Sequence, residues 1–144
     1  MAQDFINRPQ ISVLAALRLV EAAVAHGTSV GAQIAVAVCD SSGKGVASAR
    51  MDDAPLGAAR LAADKAYTSA LWQMPSGDLQ QSSQPGGDDW GITSTESGRI
   101  VVYPGAFPLF HGGHLAGAIG VSGGTAEQDA TCALAAIASA LPEA

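Results

Sequence analysis

The sequence predicts an α+β domain organised around an antiparallel sheet, and three observations carry that expectation. Apolar runs of strand length come in neighbouring groups joined by short turns, helical segments stand before, between and after these groups, and no strand-helix-strand succession has the pattern of a parallel crossover. The order read along the chain is α-β-β-α-α-β-β-β-α. A length of 144 residues suits one hydrophobic core, so residues 1–144 are read as a single domain without linker, repeat or low-complexity tract.

Between residues 12 and 25, Val13, Leu14, Leu17, Val20 and Val24 recur at helical spacing, which predicts an amphipathic helix with these residues as its apolar face and Gly27 as its stop. Residues 33 to 39 are a nearly continuous apolar run, Asp40-Ser41-Ser42-Gly43 supplies turn chemistry, and residues 46 to 51 form a second extended run, together a β-hairpin. Pro55 suits a first helical turn, and the Ala-rich stretch over 56–72 predicts the second helix, which Pro75 ends. Residues 76 to 91 read as a short helical turn and then a long surface loop through Gln84-Pro85-Gly86-Gly87, and loops of this length in compact domains often carry function. Residues 100–103, 106–110 and 115–121 are three β-type runs separated by Pro104-Gly105 and Gly112-Gly113, which predicts a meander. Thr125 stands at capping-box spacing from Gln128, and a closing helix follows over 126–141.

Composition narrows the partners. A formal charge of -6 with only seven Lys and Arg residues leaves no basic stripe, so neither nucleic acid nor a membrane surface is expected. Charged residues are 14% of the chain and hydrophobic residues 48%, against a usual charged share of about 25%. One copy is therefore short of charge to cover itself, and a closed homo-oligomer is expected. Cys39 and Cys132 lack CxxC spacing and read as small core residues of a cytoplasmic protein, with no leader before the first helix and no run near the roughly 18 apolar residues of a membrane span. The HExxH, Walker and GxGxxG patterns are missing from the sequence, so the common zincin, NTPase and dinucleotide readings have no motif behind them.

Several segments resemble the haem-binding GlcG/HbpS-like family, which includes the C-terminal domain of PduO-type corrinoid adenosyltransferases. They are Val36-Ala-Val-Cys-Asp40 with Gly43, Ala49-Arg-Met-Asp-Asp-Ala-Pro55, Asp64-Lys-Ala-Tyr-Thr-Ser69, Gln84-Pro-Gly86, Gly98-Arg99, Pro104-Gly105 to Leu109, and Gly117-Ala-Ile-Gly-Val-Ser-Gly-Gly-Thr125 with Gln128-Asp129. The last is the most specific. The resemblance implies a profilin-like or PAS-like antiparallel sheet of about five strands flanked by helices, assembly into dimers or octamers, and haem or another tetrapyrrole as the ligand of some members. Other members stand in catabolic gene clusters for small acids or aromatics, which keeps a catalytic role open.

Haem iron is commonly held by imidazole, so the three histidines, His26, His111 and His114, are the axial ligands to test. His26 equally complements the C-terminal end of the first helix. A two-residue turn sets His111 and His114 opposite each other on a hairpin, close enough to share a divalent metal, although two ligands are half a zinc site and solvated imidazoles fit the pattern as well. Asp64 can pair with Arg60 one turn earlier, which leaves Lys65 without an evident partner, facing solvent or a ligand carboxylate, with the Tyr67 phenol nearby. Arg99 either grips a ligand acid or pairs with Glu96. Arg50 and Met51 close the first hairpin, Met51 packing in the core or covering a flat ligand, and Asp52 or Asp53 caps the next helix. Pro85-Gly86, and Gly105 with Phe107 shortly after it, mark pocket rims or ordinary turns, and Gly123-Gly124 offers backbone N–H groups to an anion.

Two functions follow. One is a small-ligand-binding domain, its ligand haem or a related tetrapyrrole housed between the sheet and the second helix or across a subunit contact. The other is a cofactor-independent isomerase, lyase or hydrolase acting on a small carboxylated or aromatic-derived substrate, with Lys65, Arg99 and Asp40 around it and one pKa shifted by its surroundings.

Overall fold

The computed structural model describes residues 3–143; the outermost residues of the expected 1–144 unit, Met1, Ala2 and Ala144, lie outside them. Helix α1 (Val13–Ser29) opens on Ser12, whose Oγ accepts the Ala15 N–H at 3.1 Å. It runs straight through Gly27. That glycine is no stop: a Cβ there would stand 3.0 Å from Ile34 Cγ1, so it is a point of close approach inside the core. The face of the helix also differs from expectation. Ala15, Ala16, Leu19, Val20 and Ala23 are buried, while Val13, Leu14 and Leu17 are exposed. Alanines let the helix lie close to its neighbours around Leu19 and Val20, while Val13, Leu14 and Leu17 are left on the outer side.

Strands β1 (Ala35–Asp40) and β2 (Gly45–Arg50) form the expected hairpin. Helix α2 (Ala58–Trp72) begins at Gly57 without a side-chain cap, so neither Asp52 nor Asp53 caps it; both are exposed. Short 3₁₀ turns at Ser76–Leu79, Ile92–Ser94 and Glu96–Gly98 break up the long loop. Strands β3 (Ala106–His111) and β4 (His114–Ser122) follow, and α3 (Ala126–Ala140) starts with the capping box at Thr125 and Gln128.

The sheet has four strands in the order β2-β1-β4-β3, every pair antiparallel, so the class is as expected and the count of about five is corrected. Residues 100–103 are not a strand. The Val101 N–H goes to Thr68 Oγ1 and the Tyr103 carbonyl takes the Ser76 hydroxyl, so side chains satisfy the backbone where a ladder would have done so. Ile100 is still buried.

Both faces of the sheet are covered. Val36, Val38, Ile119 and Val121 meet α1 and α3 in the main core, and Ala35, Ala37, Cys39 and Ala118 turn to α2. On the α2 side the residues are small enough for backbone to approach backbone. A Cβ on Gly120 would lie 2.3 Å from the Ala62 carbonyl oxygen and 2.7 Å from the Ala66 nitrogen. Around Gly120 no hollow separates the sheet from the second helix; a cleft lined by both lies farther along, at Leu61, Lys65 and Ser122. No helix among the described residues is long and apolar enough to cross a membrane.

Candidate functional site

Two cavities carry groups suited to holding a ligand. The larger, about 530 Å³, is a groove between the segment before α1, the β3–β4 hairpin and the end of α3. Its position follows from one anchoring bond: the Ile11 N–H donates to the Ala116 carbonyl at 2.9 Å, which draws the N-terminal segment across β4. Ile11, Ala15, Leu109, Phe110, Ala116 and Leu141 give it an apolar wall, and His111 stands on it as an imidazole. The cross-strand register places His111 opposite His114, as expected of the two-residue turn. Sharing a metal is not supported, because His114 Nδ1 is hydrogen-bonded to the Arg8 guanidinium and lines a separate cleft with it. Among the described residues there is no group of three or more His, Cys, Asp or Glu side chains able to hold a metal ion. His26 does sit in the last turn of α1, and its Nε2 is buried without a hydrogen-bond partner in the described structure.

The second cavity, about 290 Å³, lies over Lys65 where α2, the Tyr103-Pro104 loop, the end of β4 and the start of α3 meet. Lys65 is partnered, contrary to expectation. Its Nζ donates to Asp129 Oδ2 at 3.0 Å and to the Val121 carbonyl at 2.9 Å, with both side chains almost wholly buried. The Gly124 N–H donates to Asp129 Oδ1 and the Thr125 N–H to Gln128 Oε1, so these two N–H groups of the expected anion site are already in use. Gly105 belongs to the same place: at φ +134°, it would put a Cβ 2.9 Å from Lys65 Nζ. Gly123, at φ +114°, passes the Gln33 carbonyl too closely for a side chain.

The remaining candidates are dispersed. Arg99 pairs with Asp64, not Glu96, at 2.8 Å, while Arg60 holds the other oxygen of that carboxylate at 2.7 Å. The Arg99 guanidinium also lies 3.9 Å from the centre of the Tyr67 ring, a cation–π contact. Tyr67 Oη donates to Glu96, a bond that pushes the phenol above its usual value because ionisation would set two anions together. Asp40 ties the β1–β2 turn, accepting from the Ser42 and Lys44 N–H groups. Lys65, Arg99 and Asp40 thus have three separate sets of partners. Arg50 and Met51 share a cleft of about 380 Å³ with Asp52 and Asp53, and Met51 Sδ accepts the Ile34 N–H. Phe107 packs against the main core, and Pro85 and Gly86 are exposed on the loop.

Asp129 and the groove were not singled out from the sequence. Asp129 had two signals, its place in the last family-like stretch and a carboxylate set ahead of Ala, Thr and Cys on the closing helix. The groove had none, since its walls come from both ends of the chain.

Both cysteines are buried, as expected. Burial pushes the Cys39 thiol from 9.0 up to about 11. Native Cys39 should therefore resist a thiolate-specific reagent at pH 9 and react promptly in denaturant. The unfolded chain releases this proton first, so stability should fall as pH rises from 9 to about 11 and level off beyond. Prompt labelling of native Cys39, located by mass spectrometry, would contradict its burial.

The model of the family described as "Haem degrading protein HbpS-like" matches residues 11–138. The corrinoid adenosyltransferase PduO of Citrobacter freundii is 33% identical over 121 residues, 84% of this chain but 36% of that protein, so the chain spans about a third of its relative. The crystal structure of the Klebsiella pneumoniae protein ORFY superposes with a TM-score of 0.96 at 25% identity, covering 100% of this chain and 99% of that one. The crystal structure of a PduOC:haem complex gives 0.86 at 32% identity, covering 90% and 94%.

Proposed function

The chain belongs to the HbpS-like family, and from that premise we propose that it is a small-ligand-binding domain whose ligand is haem or a related tetrapyrrole, seated in the groove beside His111. The observation that carries the reading is the combination of an apolar wall with one imidazole in a cavity of about 530 Å³, inside the range of roughly 300–1,000 Å³ usual for organic ligands. The similar PduOC, described as a complex with haem, supports the choice of ligand.

The residues present fit such a group. His111 would offer an imidazole nitrogen, a donor type that commonly holds haem iron. Ile11, Leu109, Phe110 and Leu141 would cover a flat apolar ring, and among the described residues no lysine or arginine lines the groove, so carboxylates on the ring edge would stay in water. Bound there, haem would supply a redox-active iron. The protein's part is to hold the ring, offer one ligand and keep bulk water from one face.

Titration of the purified protein with haem should give a saturable Soret shift at fixed stoichiometry. His111→Ala should move the band and weaken binding by at least about tenfold, about 1.4 kcal/mol. A linear, non-saturating response, or a His111→Ala protein indistinguishable from wild type, would remove the site.

Self-association belongs to the same reading. It is supported by Val13, Leu14 and Leu17, which stand 54%, 68% and 51% exposed on the outer face of α1. Leu14→Glu with Leu17→Glu should give a monomeric mass by light scattering where wild type gives a multiple. Equal masses for the two proteins would argue against this face.

A further inference from the structure

Away from the groove, a buried ion pair borders a cavity with one donor left over. Lys65 is 2% exposed and Asp129 4%. The carboxylate is engaged on both oxygens, by Lys65 on Oδ2 and the Gly124 N–H on Oδ1. The ammonium is not fully engaged. It carries three N–H groups, of which Asp129 and the Val121 carbonyl take two. Lys65 lines the cleft of about 290 Å³ together with Leu61, Gln80, Tyr103, Ser122 and Ala126.

A merely structural tie between α2 and α3 would not require ions. Withdrawing two charges from water costs several kcal/mol each, and apolar residues of similar volume often serve as well or better. The surroundings also keep the ammonium clear of side chains. A Cβ at Gly105 would lie 2.9 Å from Nζ, and one at Gly124 3.1 Å from Asp129 Oδ1.

The chemistry of an occupant follows from what lines the space. Lys65 and Asp129 cancel in charge, and the α3 N-terminus at Ala126 favours an anion, offset in part by Glu127 of the same turn, which lines a separate cleft with His26. Leu61 and Tyr103 provide a small apolar wall, and the volume is close to the lower end, about 300 Å³, of ordinary ligand sites. We propose that this cleft binds a small organic monocarboxylate, which accepts the remaining Lys65 N–H and lays its carbon end against Leu61 and Tyr103. It is independent of the haem groove. The two lie at opposite ends of α3, a helix of 15 residues and so roughly 20 Å long.

The test is a titration of the full chain with sodium propionate, followed by amide NMR, with propionamide as the uncharged counterpart. Propionate should give saturable shifts centred on Ser122, Gly124 and Ala126, with a Kd of about 1 mM or tighter, and propionamide should bind at least about tenfold more weakly. Leu61→Trp, which fills the cleft and leaves both charges of the ion pair in place, should abolish the response. Lys65→Met combined with Asp129→Asn removes both charges together and should weaken binding by at least about tenfold, about 1.4 kcal/mol. The proposal is overturned by the absence of saturable shifts, by an equal response to propionamide, or by a response that survives Leu61→Trp. The haem titration of Leu61→Trp should match wild type, which separates failure of this site from failure of the groove.

Discussion

Replacing Lys65 alone by Met should destabilise the protein by about 3–5 kcal/mol, because Asp129 would be left as a buried charge without its counter-ion. For a chain of this size that corresponds to a fall in Tm of roughly 10–15 °C. The Val121 carbonyl loses a donor at the same time, so sheet, α2 and α3 all lose their common tie. Adding Asp129→Asn should recover most of the loss, since the amide still accepts the Gly124 N–H and no net charge stays behind. Urea unfolding followed by circular dichroism reads both variants. A loss under about 1 kcal/mol for Lys65→Met would mean that water reaches Asp129 and that the pair is not the buried junction described.

Gly120→Val should be comparably severe. The new side chain would enter where backbone already touches backbone, 2.3 Å from the Ala62 carbonyl oxygen and 2.7 Å from the Ala66 nitrogen. Helix backbone does not rotate aside as a flexible side chain does, so α2 must lift from the sheet and expose the alanines beneath it. Overpacking usually costs about 1–3 kcal/mol, and contact with a fixed helix places this case at or above the top of that range. Gly45→Ala is the matched control: nothing lies within 4 Å of its added Cβ, and a change within about 0.5 kcal/mol is expected. A Gly120→Val protein as stable as the control would show that α2 does not lie against the sheet as described.

These two positions show what is and is not legible in one sequence. Gly120 lies within the most specific of the family-like stretches, and its place on a strand could be read, but not the helix pressed against it. Lys65 could be recognised as an unusual cation on an Ala-rich helix. Its partner lies 64 residues away, and nothing in the local pattern joins the two. Arg99 is similar: Glu96, three residues back, was the nearer acid, yet Asp64 on α2 has a position shielded from water and takes it. The run over residues 100–103 has the composition of a strand, and the hydroxyls of Thr68 and Ser76 decide otherwise.

The sequence by itself determined the α+β class, the first hairpin, the last two strands of the expected meander, the three long helices and the capping box, because each is governed by contacts a few residues apart and by a periodicity of two or 3.6. Only the tertiary structure decided which face of α1 is covered, where the partner of Lys65 lies, and that an imidazole borders an apolar groove. Period tells which residues share a face and not which face meets the core. When both sides of a helix carry apolar residues, alanines around Leu19 on one and Leu14 with Leu17 on the other, the choice falls to how closely the backbones must approach, a property of the whole assembly of helices and sheet.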